Sequence, residues 1–160
     1  DGRNMSADSV IDALSPVLER LKTLDLNDPG AAKELLDMEY PLHTEFGDKL
    51  RELAKQGVDA GWLCGREAGD SRFSRVAKPD AGQGFSIDAV MLWGDGPWHK
   101  HVKGEVNCML SWEGEPEFCG FKEGWAVFPP GSAHVPSVKN GKMLIFYMLP
   151  DGALEWKKPE

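Results

Sequence analysis

Apolar residues recur at helical spacing in the first third of the chain, which predicts helices with one apolar face. The first such series is Val10, Ile11, Leu14, Val17, Leu18, Leu21 and Leu24. Pro16 interrupts this series, so we expect a kink or a break there. Asp28 followed by Pro29 predicts the start of a second helix. Thr44 is a candidate cap for a third, with Gly57 as its end.

After Gly57 the pattern changes to short apolar runs separated by Gly, Pro, Asp and Asn clusters, which is typical of strands and turns. We predict strands near residues 59–64, 72–77, 85–93, 97–102, 105–112, 116–119, 125–128, 133–138 and 143–149. "WEGEPEF" and "VKNGKM" are predicted turns, and Asn140-Gly141 in the second is a hairpin signal.

Helices followed by roughly eight short strands predict a mostly β fold, either a barrel or a sandwich. We expect one domain over residues 1–160, with a helical N-terminal cover (5–57) and a β-barrel (58–150). Residues 1–4, ahead of Met5, are interpreted as a cloning remnant.

Composition narrows the class of function. The chain has 160 residues, 41% hydrophobic, and a formal net charge of -8. The negative charge argues against sequence-independent nucleic-acid binding. It does not exclude binding of an anionic small molecule, because one arginine can bind one carboxylate. No apolar stretch predicts a membrane span, and no signal peptide is recognised. The three cysteines lack CxxC spacing, so we expect reduced thiols in a cytoplasmic protein.

Three of the histidines are candidate metal ligands. His99 and His101 are two residues apart in a predicted strand, so their side chains share one face. Glu105 begins the next predicted strand, and His134 follows a stiff Pro-Pro-Gly turn. Three imidazoles and one carboxylate suit one divalent transition metal, which leaves iron, manganese, zinc, nickel and cobalt open.

Two segments around these histidines resemble a known superfamily. "GDGPWHKHVKGE" resembles the first cupin motif, and "GWAVFPPGSAH" resembles the second. The resemblance covers residues 94–138 and implies a cupin jelly-roll barrel. It also implies one set of metal ligands, namely His99, His101, Glu105 and His134. The alternative is a cupin barrel whose histidines bond to each other and to water, without a metal.

Other residues are candidates for contact with a substrate. Arg72 and Arg75 are an odd number of positions apart on a predicted strand, so they face opposite ways. One of them can point inward and bind a carboxylate, and we favour Arg75. Trp98 and Tyr147 are candidate contacts for a flat ring. His43 is either an exposed or capping histidine, or an acid or base that the helices place at the barrel mouth.

The helical N-terminal third, the two histidine motifs and three further segments together resemble one small family. The segments are "YPLHTEFGDKL", "GWLCGREAG" and "SRFSRVAKP". The chain is similar to the cupin-like family that includes 4-hydroxylaminobenzoate lyase, which acts in bacterial nitroaromatic acid degradation. The resemblance implies conversion of 4-hydroxylaminobenzoate and water into 3,4-dihydroxybenzoate and ammonia. Glu105 and His43 are the candidate catalytic residues for proton transfer.

Two other functions remain open at this point. One is a metal-dependent cupin dioxygenase acting on a catechol or a thiol acid, which would consume oxygen. The other is a small-molecule-binding cupin without catalysis, which would retain its ligand. A sugar-acid isomerase leaves the tryptophans less well explained. The cupin resemblance also implies a homo-oligomer formed through edge strands, unless the helices cover that edge.

Overall fold

Three helices precede eight strands in residues 6–157, the part of the chain that the computed structural model describes. The interpretation of residues 1–4 lies outside this range. The helices are α1 (Ala7–Leu21), α2 (Pro29–Glu39) and α3 (Glu45–Ala60). The strands are β1 (Arg66–Ala68), β2 (Ser71–Ala77), β3 (Phe85–Leu92), β4 (His99–His101), β5 (Glu105–Phe118), β6 (Gly124–Phe128), β7 (Ser132–His134) and β8 (Val138–Pro150).

The starts of the first two helices follow local capping chemistry. The Ser6 hydroxyl accepts a hydrogen bond from the Asp8 amide at the start of α1. Pro16 does not divide this helix, which continues to Leu21. The Asp28 carboxylate accepts from the Ala31 amide at the start of α2, so the Asp28-Pro29 prediction is confirmed. No helix of the described range is both long and apolar enough to span a membrane.

The predicted end of the third helix is wrong. The helix α3 continues past Gly57 to Ala60 and ends at Gly61, which has a left-handed φ of 86°. Gly57 is instead a packing position, since an added Cβ would lie 2.7 Å from Leu63 Cβ and 2.8 Å from the Trp62 ring. The strand predicted at 59–64 is therefore absent, because its first residues belong to α3 and the rest to a turn.

We expect Gly57→Ala to lower the free energy of unfolding by about 1–3 kcal/mol, because the added methyl overpacks the contact with Leu63 and Trp62. Urea denaturation measures this change. Gly30→Ala is the matched control, since α2 leaves open space around Gly30. It should be neutral or stabilising, as alanine favours a helix interior. Equal effects of the two substitutions would contradict the packing explanation.

The strands form two antiparallel sheets. The larger has the order β1-β2-β3-β8-β5-β6, and the smaller pairs β4 with β7. The strand β5 is 14 residues long and β8 is 13, so each is longer than predicted. The "WEGEPEF" segment belongs to β5 rather than to a turn, and the β5–β8 pairing shifts register within it.

The Asn140-Gly141 hairpin prediction is also wrong, because both residues lie within β8, where Gly141 pairs with Gly114 of β5. Asn140 has a φ of 66°, Gly141 149° and Gly114 73°. A Cβ on Gly141 would lie 2.0 Å from the Glu113 carbonyl oxygen. Asn140 and Gly141 tolerate positive φ, which allows β8 to pair irregularly with β5 and to bring the two backbones close together.

The two faces of the larger sheet pack against different partners. One face and the three helices share a core that includes Cys108 and Phe146. The opposite face carries Met109 and Tyr147 into a second, smaller core. Because successive strand residues alternate between faces, β3, β5, β6 and β8 each contribute to both cores. The predicted mostly β fold with three N-terminal helices is confirmed.

The helix α2 also covers one edge of the larger sheet. Asp37 accepts from the backbone N–H of Trp125 in β6, and Lys33 donates to the Trp125 carbonyl. These contacts occupy polar groups that an edge strand otherwise leaves unpaired. The homo-oligomer stays a prediction, and β1 is the other edge of this sheet.

Candidate metal centre

The pairing of β4 with β7 gathers three histidines. His99 pairs with His134 in this register, and His101 pairs with Ser132. Glu105, the first residue of β5, faces the same point. One ligand atom from each of the four residues lies within 4.8 Å of all the others. His99, His101 and Glu105 are buried, whereas His134 is partly exposed.

The distances within this cluster fit a bound transition metal. His99 Nε2 lies 2.8 Å from His101 Nε2, and His101 Nε2 lies 2.9 Å from Glu105 Oε2. Nitrogen ligands about 2.1 Å from one ion are themselves about 3 Å apart. The buried His134 Nε2 atom has no hydrogen-bond partner among the described residues. The donor set therefore suits a divalent transition metal with positions left for substrate or water.

Electrostatics put two of these residues in the protonation state that a metal ligand requires. Burial acts to raise the pKa of Glu105, but the close contacts of its carboxylate with His101 and His99 outweigh burial and hold the pKa at about 2. Burial, together with the neighbouring His101 and His99, lowers the pKa of His134 to about 4. At neutral pH Glu105 is ionised and His134 is neutral.

Aromatic rings surround the imidazoles. Phe128 stacks on His101 with ring centroids 5.2 Å apart. Tyr147 and Trp156 meet His99 edge-on at 6.4 and 5.9 Å. Such an apolar shell limits water access and strengthens charge interactions at the site.

A cavity of about 950 Å³ opens onto His99, Glu105 and Tyr147. Its lining also includes three cationic side chains, which are Arg66, Arg75 and Lys78. The remaining walls are largely apolar, and they include Phe73, Val90, Leu92, Leu149, Leu154 and Trp156. One cavity is therefore lined by two residues of the histidine–glutamate cluster and by three cationic side chains, and its other walls are largely apolar.

Comparison with known proteins decides the family. A sequence model of the family described as PnbB, 4-hydroxylaminobenzoate lyase, matches residues 14–156. The chain belongs to the 4-hydroxylaminobenzoate lyase family. The family resemblance expected from the sequence is therefore confirmed.

Two relatives of this lyase family member carry the name 4-hydroxylaminobenzoate lyase. The protein from Nocardioides sp. (strain LMS-CY) is 30% identical over 158 residues, which cover 92% of each chain. The protein from Pseudomonas putida is 27% identical over 148 residues, covering 76% of this chain and 80% of its own. A solved RmlC-like cupin protein from Ralstonia eutropha is 14% identical, with a TM-score of 0.44 over 57% of this chain and 62% of its own.

Arg72 and Arg75, the two arginines considered as carboxylate ligands, lie on opposite faces of β2. Arg75 lines the cavity, and its Nε donates to Asp88 Oδ1 at 2.6 Å. Arg72 does not line the cavity, and its Nε donates to the backbone oxygen of Cys64 at 3.2 Å. Strand alternation separates the two side chains.

The structure does not bring His43 and Trp98 to the cavity. His43 is exposed in the connection between α2 and α3, next to Leu42, which packs in the helical core. The helices cover the face of the larger sheet that is opposite the cluster, so they do not place His43 at the mouth. Trp98 is half-buried and directly precedes His99, so alternation turns its side chain away from the cluster.

Sequence reasoning missed four residues of this lyase family member's site, which are Asp88, Asn107, Ser132 and Trp156. Asn107 Nδ2 donates to Glu105 Oε2 at 3.3 Å, and Ser132 contacts His101. Asp88 had a usable signal, because it is the one charged residue in the apolar segment "FSIDAVML". No sequence signal pointed to Trp156, since it lies after the last strand.

Proposed function

We propose that this protein is a lyase that converts 4-hydroxylaminobenzoate and water into 3,4-dihydroxybenzoate and ammonia. The main support for this proposal is the cavity that has His99, Glu105 and Arg75 in its lining. That arrangement suits a flat ring with a carboxylate at one end and a hydroxylamino group at the other. Membership of the lyase family supports the same substrate.

Arg75 is the proposed carboxylate ligand. Its Nε is held by Asp88, while its two terminal nitrogens make no hydrogen bond to the described residues. A guanidinium oriented in this way can bind a carboxylate through both terminal nitrogens. Trp156, which lines the cavity and is 62% exposed as a residue, is the proposed contact for the face of the substrate ring.

His99, His101, Glu105 and His134 would hold the divalent metal. Such an ion supplies Lewis acidity toward the hydroxylamino oxygen and acidifies a bound water. Glu105 is ionised at neutral pH and serves only as an acceptor, so the departing oxygen needs another proton donor. Burial raises the pKa of Tyr147 well above its usual value, and the Glu105 carboxylate raises it further, so the phenol is protonated at neutral pH. Tyr147 also lines the cavity, and its hydroxyl is the proposed proton donor.

The reaction balances without an external oxidant. Cleavage of the N–O bond releases the hydroxyl oxygen as water, after proton donation by Tyr147, and leaves an electron-poor ring. One water adds at the carbon next to the nitrogen-bearing carbon, and the proton released as the ring becomes aromatic again restores Tyr147. A second water replaces the nitrogen, which leaves as ammonia. The net change is consumption of one water, and the N–O bond supplies the oxidising equivalents.

An anaerobic assay tests this function. Purified metal-loaded protein is incubated with 4-hydroxylaminobenzoate, and 3,4-dihydroxybenzoate and ammonia are measured together. Equal amounts of the two products are expected. Product formation that requires oxygen would favour a dioxygenase, and tight ligand retention without turnover would favour a binding protein.

The proposal also places the protein in the cytoplasm, where reducing conditions suit its three free cysteines.

We expect Arg75→Met to lower kcat/KM for 4-hydroxylaminobenzoate by about 10–100-fold, mainly through KM, because a charge-assisted hydrogen bond is worth about 1.5–3 kcal/mol. Phenylhydroxylamine, which lacks the carboxylate, should show little dependence on Arg75. Arg72→Met is the matched control on the other face of β2 and should leave KM unchanged. A similar loss in both variants would refute the assignment of the carboxylate to Arg75.

A further inference from the structure

We propose that Ser132 is a positioning residue that sets the tautomer of His101 for metal binding. The inference rests on the metal site of the proposed function. The β4–β7 register places Ser132 directly opposite His101. Ser132 Oγ lies 2.9 Å from His101 Nδ1 and 2.6 Å from the carbonyl oxygen of Pro129.

The direction of these two hydrogen bonds follows from the chemistry of the three groups. A carbonyl oxygen can only accept, so the single hydroxyl proton of Ser132 is donated to Pro129. The Ser132 oxygen then accepts a hydrogen bond from His101, which requires a proton on Nδ1. A neutral His101 therefore carries its lone pair on Nε2, the atom that points into the cluster.

The opposite tautomer is a competitor of the metal. With a proton on Nε2, His101 would donate directly to Glu105 Oε2, which lies 2.9 Å away. A metal would then have to displace that proton and break a buried hydrogen bond. With the proton on Nδ1, the lone pair of His101 Nε2 lies close to His99 Nε2 and Glu105 Oε2. These three buried ligand atoms lie at distances that suit one cation between them.

The turn before β7 holds Ser132 in place for this task. The Ser132 amide donates to the Pro129 carbonyl at 3.1 Å, so both its backbone and its side chain bond to one oxygen. The Gly131 amide donates to the His101 carbonyl at 2.7 Å, which ties the turn to β4. Gly131 has a φ of 84°, a conformation that favours glycine.

Cobalt(II) binding to the metal-free protein tests the inference, with the cobalt absorption spectrum and a competing chelator as readouts. We expect Ser132→Ala to raise the cobalt(II) Kd by about 10–100-fold, the usual effect of losing the outer partner of a metal-bound histidine. Ser132→Thr keeps the hydroxyl and should restore binding to within a few-fold. Ser137→Ala is the matched control, because the Ser137 hydroxyl makes no hydrogen bond in residues 6–157.

Three outcomes would overturn the inference. They are unchanged cobalt(II) affinity in Ser132→Ala, an equal loss in Ser132→Thr, and no cobalt(II) binding by the wild-type protein. Thermal melting of each metal-free variant, followed by circular dichroism, separates loss of the hydroxyl from loss of the fold. Because the readout is cobalt(II) binding, a protein without lyase activity would still show the Ser132 dependence. Failure of the proposed reaction and failure of this inference are therefore distinguishable.

Discussion

His101→Ala is expected to prevent metal loading of the cluster and to lower the proposed lyase activity by about 1000-fold or more. His101 is fully buried, and its Nε2 lies within 3 Å of both His99 Nε2 and Glu105 Oε2. Its loss therefore removes the central donor of the cluster. Metal catalysis contributes several kcal/mol to transition-state stabilisation, which corresponds to about three decades in rate. Elemental analysis after metal loading and the anaerobic product assay measure the two effects.

His43→Ala is the matched control, because His43 is exposed and lies outside the cavity. It should keep full metal content and full activity. Circular dichroism should show that both variants keep the fold, since the larger core, which the sheet shares with the helices, does not include His101 or His43. Stoichiometric metal in His101→Ala would show that the ion binds elsewhere.

Tyr147→Phe is expected to lower kcat by about 100-fold or more, with metal content unchanged, because loss of a general acid typically costs two to four decades. Phenylalanine keeps the ring that packs against His99 and Phe118, and removes only the hydroxyl. The sign of the pH dependence follows from the raised pKa of Tyr147. The proton donor stays protonated below that pKa, so wild-type kcat should show no loss from this group below about pH 10. Steady-state kinetics across pH measure both effects.

Tyr40→Phe is the control for this substitution, because Tyr40 is the only other tyrosine in the chain. Its hydroxyl donates to the Pro16 carbonyl at 3.3 Å, in the helical layer. Wild-type kcat is expected in that variant. If Tyr147→Phe also kept wild-type kcat, the proton would have to come from another group or from water.

Local sequence signals predicted the features that depend on near neighbours. Asp28-Pro29 starts α2 because the cap and the fixed φ act within one turn. The alternation of β2 predicted that Arg72 and Arg75 face opposite ways. The spacing of His99 and His101 predicted two imidazoles on one face, and the structure places them beside Glu105 and His134.

Equally strong local signals were misleading where packing decided the outcome. Gly57 was expected to end a helix, but it lies inside α3 because Leu63 and Trp62 leave no room for a side chain. Asn140-Gly141 was expected to form a hairpin turn, but it lies within β8 against Glu113. Glycine permits both uses, and only the neighbouring element selects between them.

The sequence by itself determined the class of fold, the three helices and the candidate metal ligands, because these depend on spacing over a few residues. The tertiary structure alone decided that Arg75 faces the cavity, that His43 does not reach it, and that Trp156 does. It also decided that Ser132 contacts His101. These outcomes depend on which sheet face the helices cover and on the register between β4 and β7. Both arise from contacts between residues far apart in the chain, which no local pattern encodes.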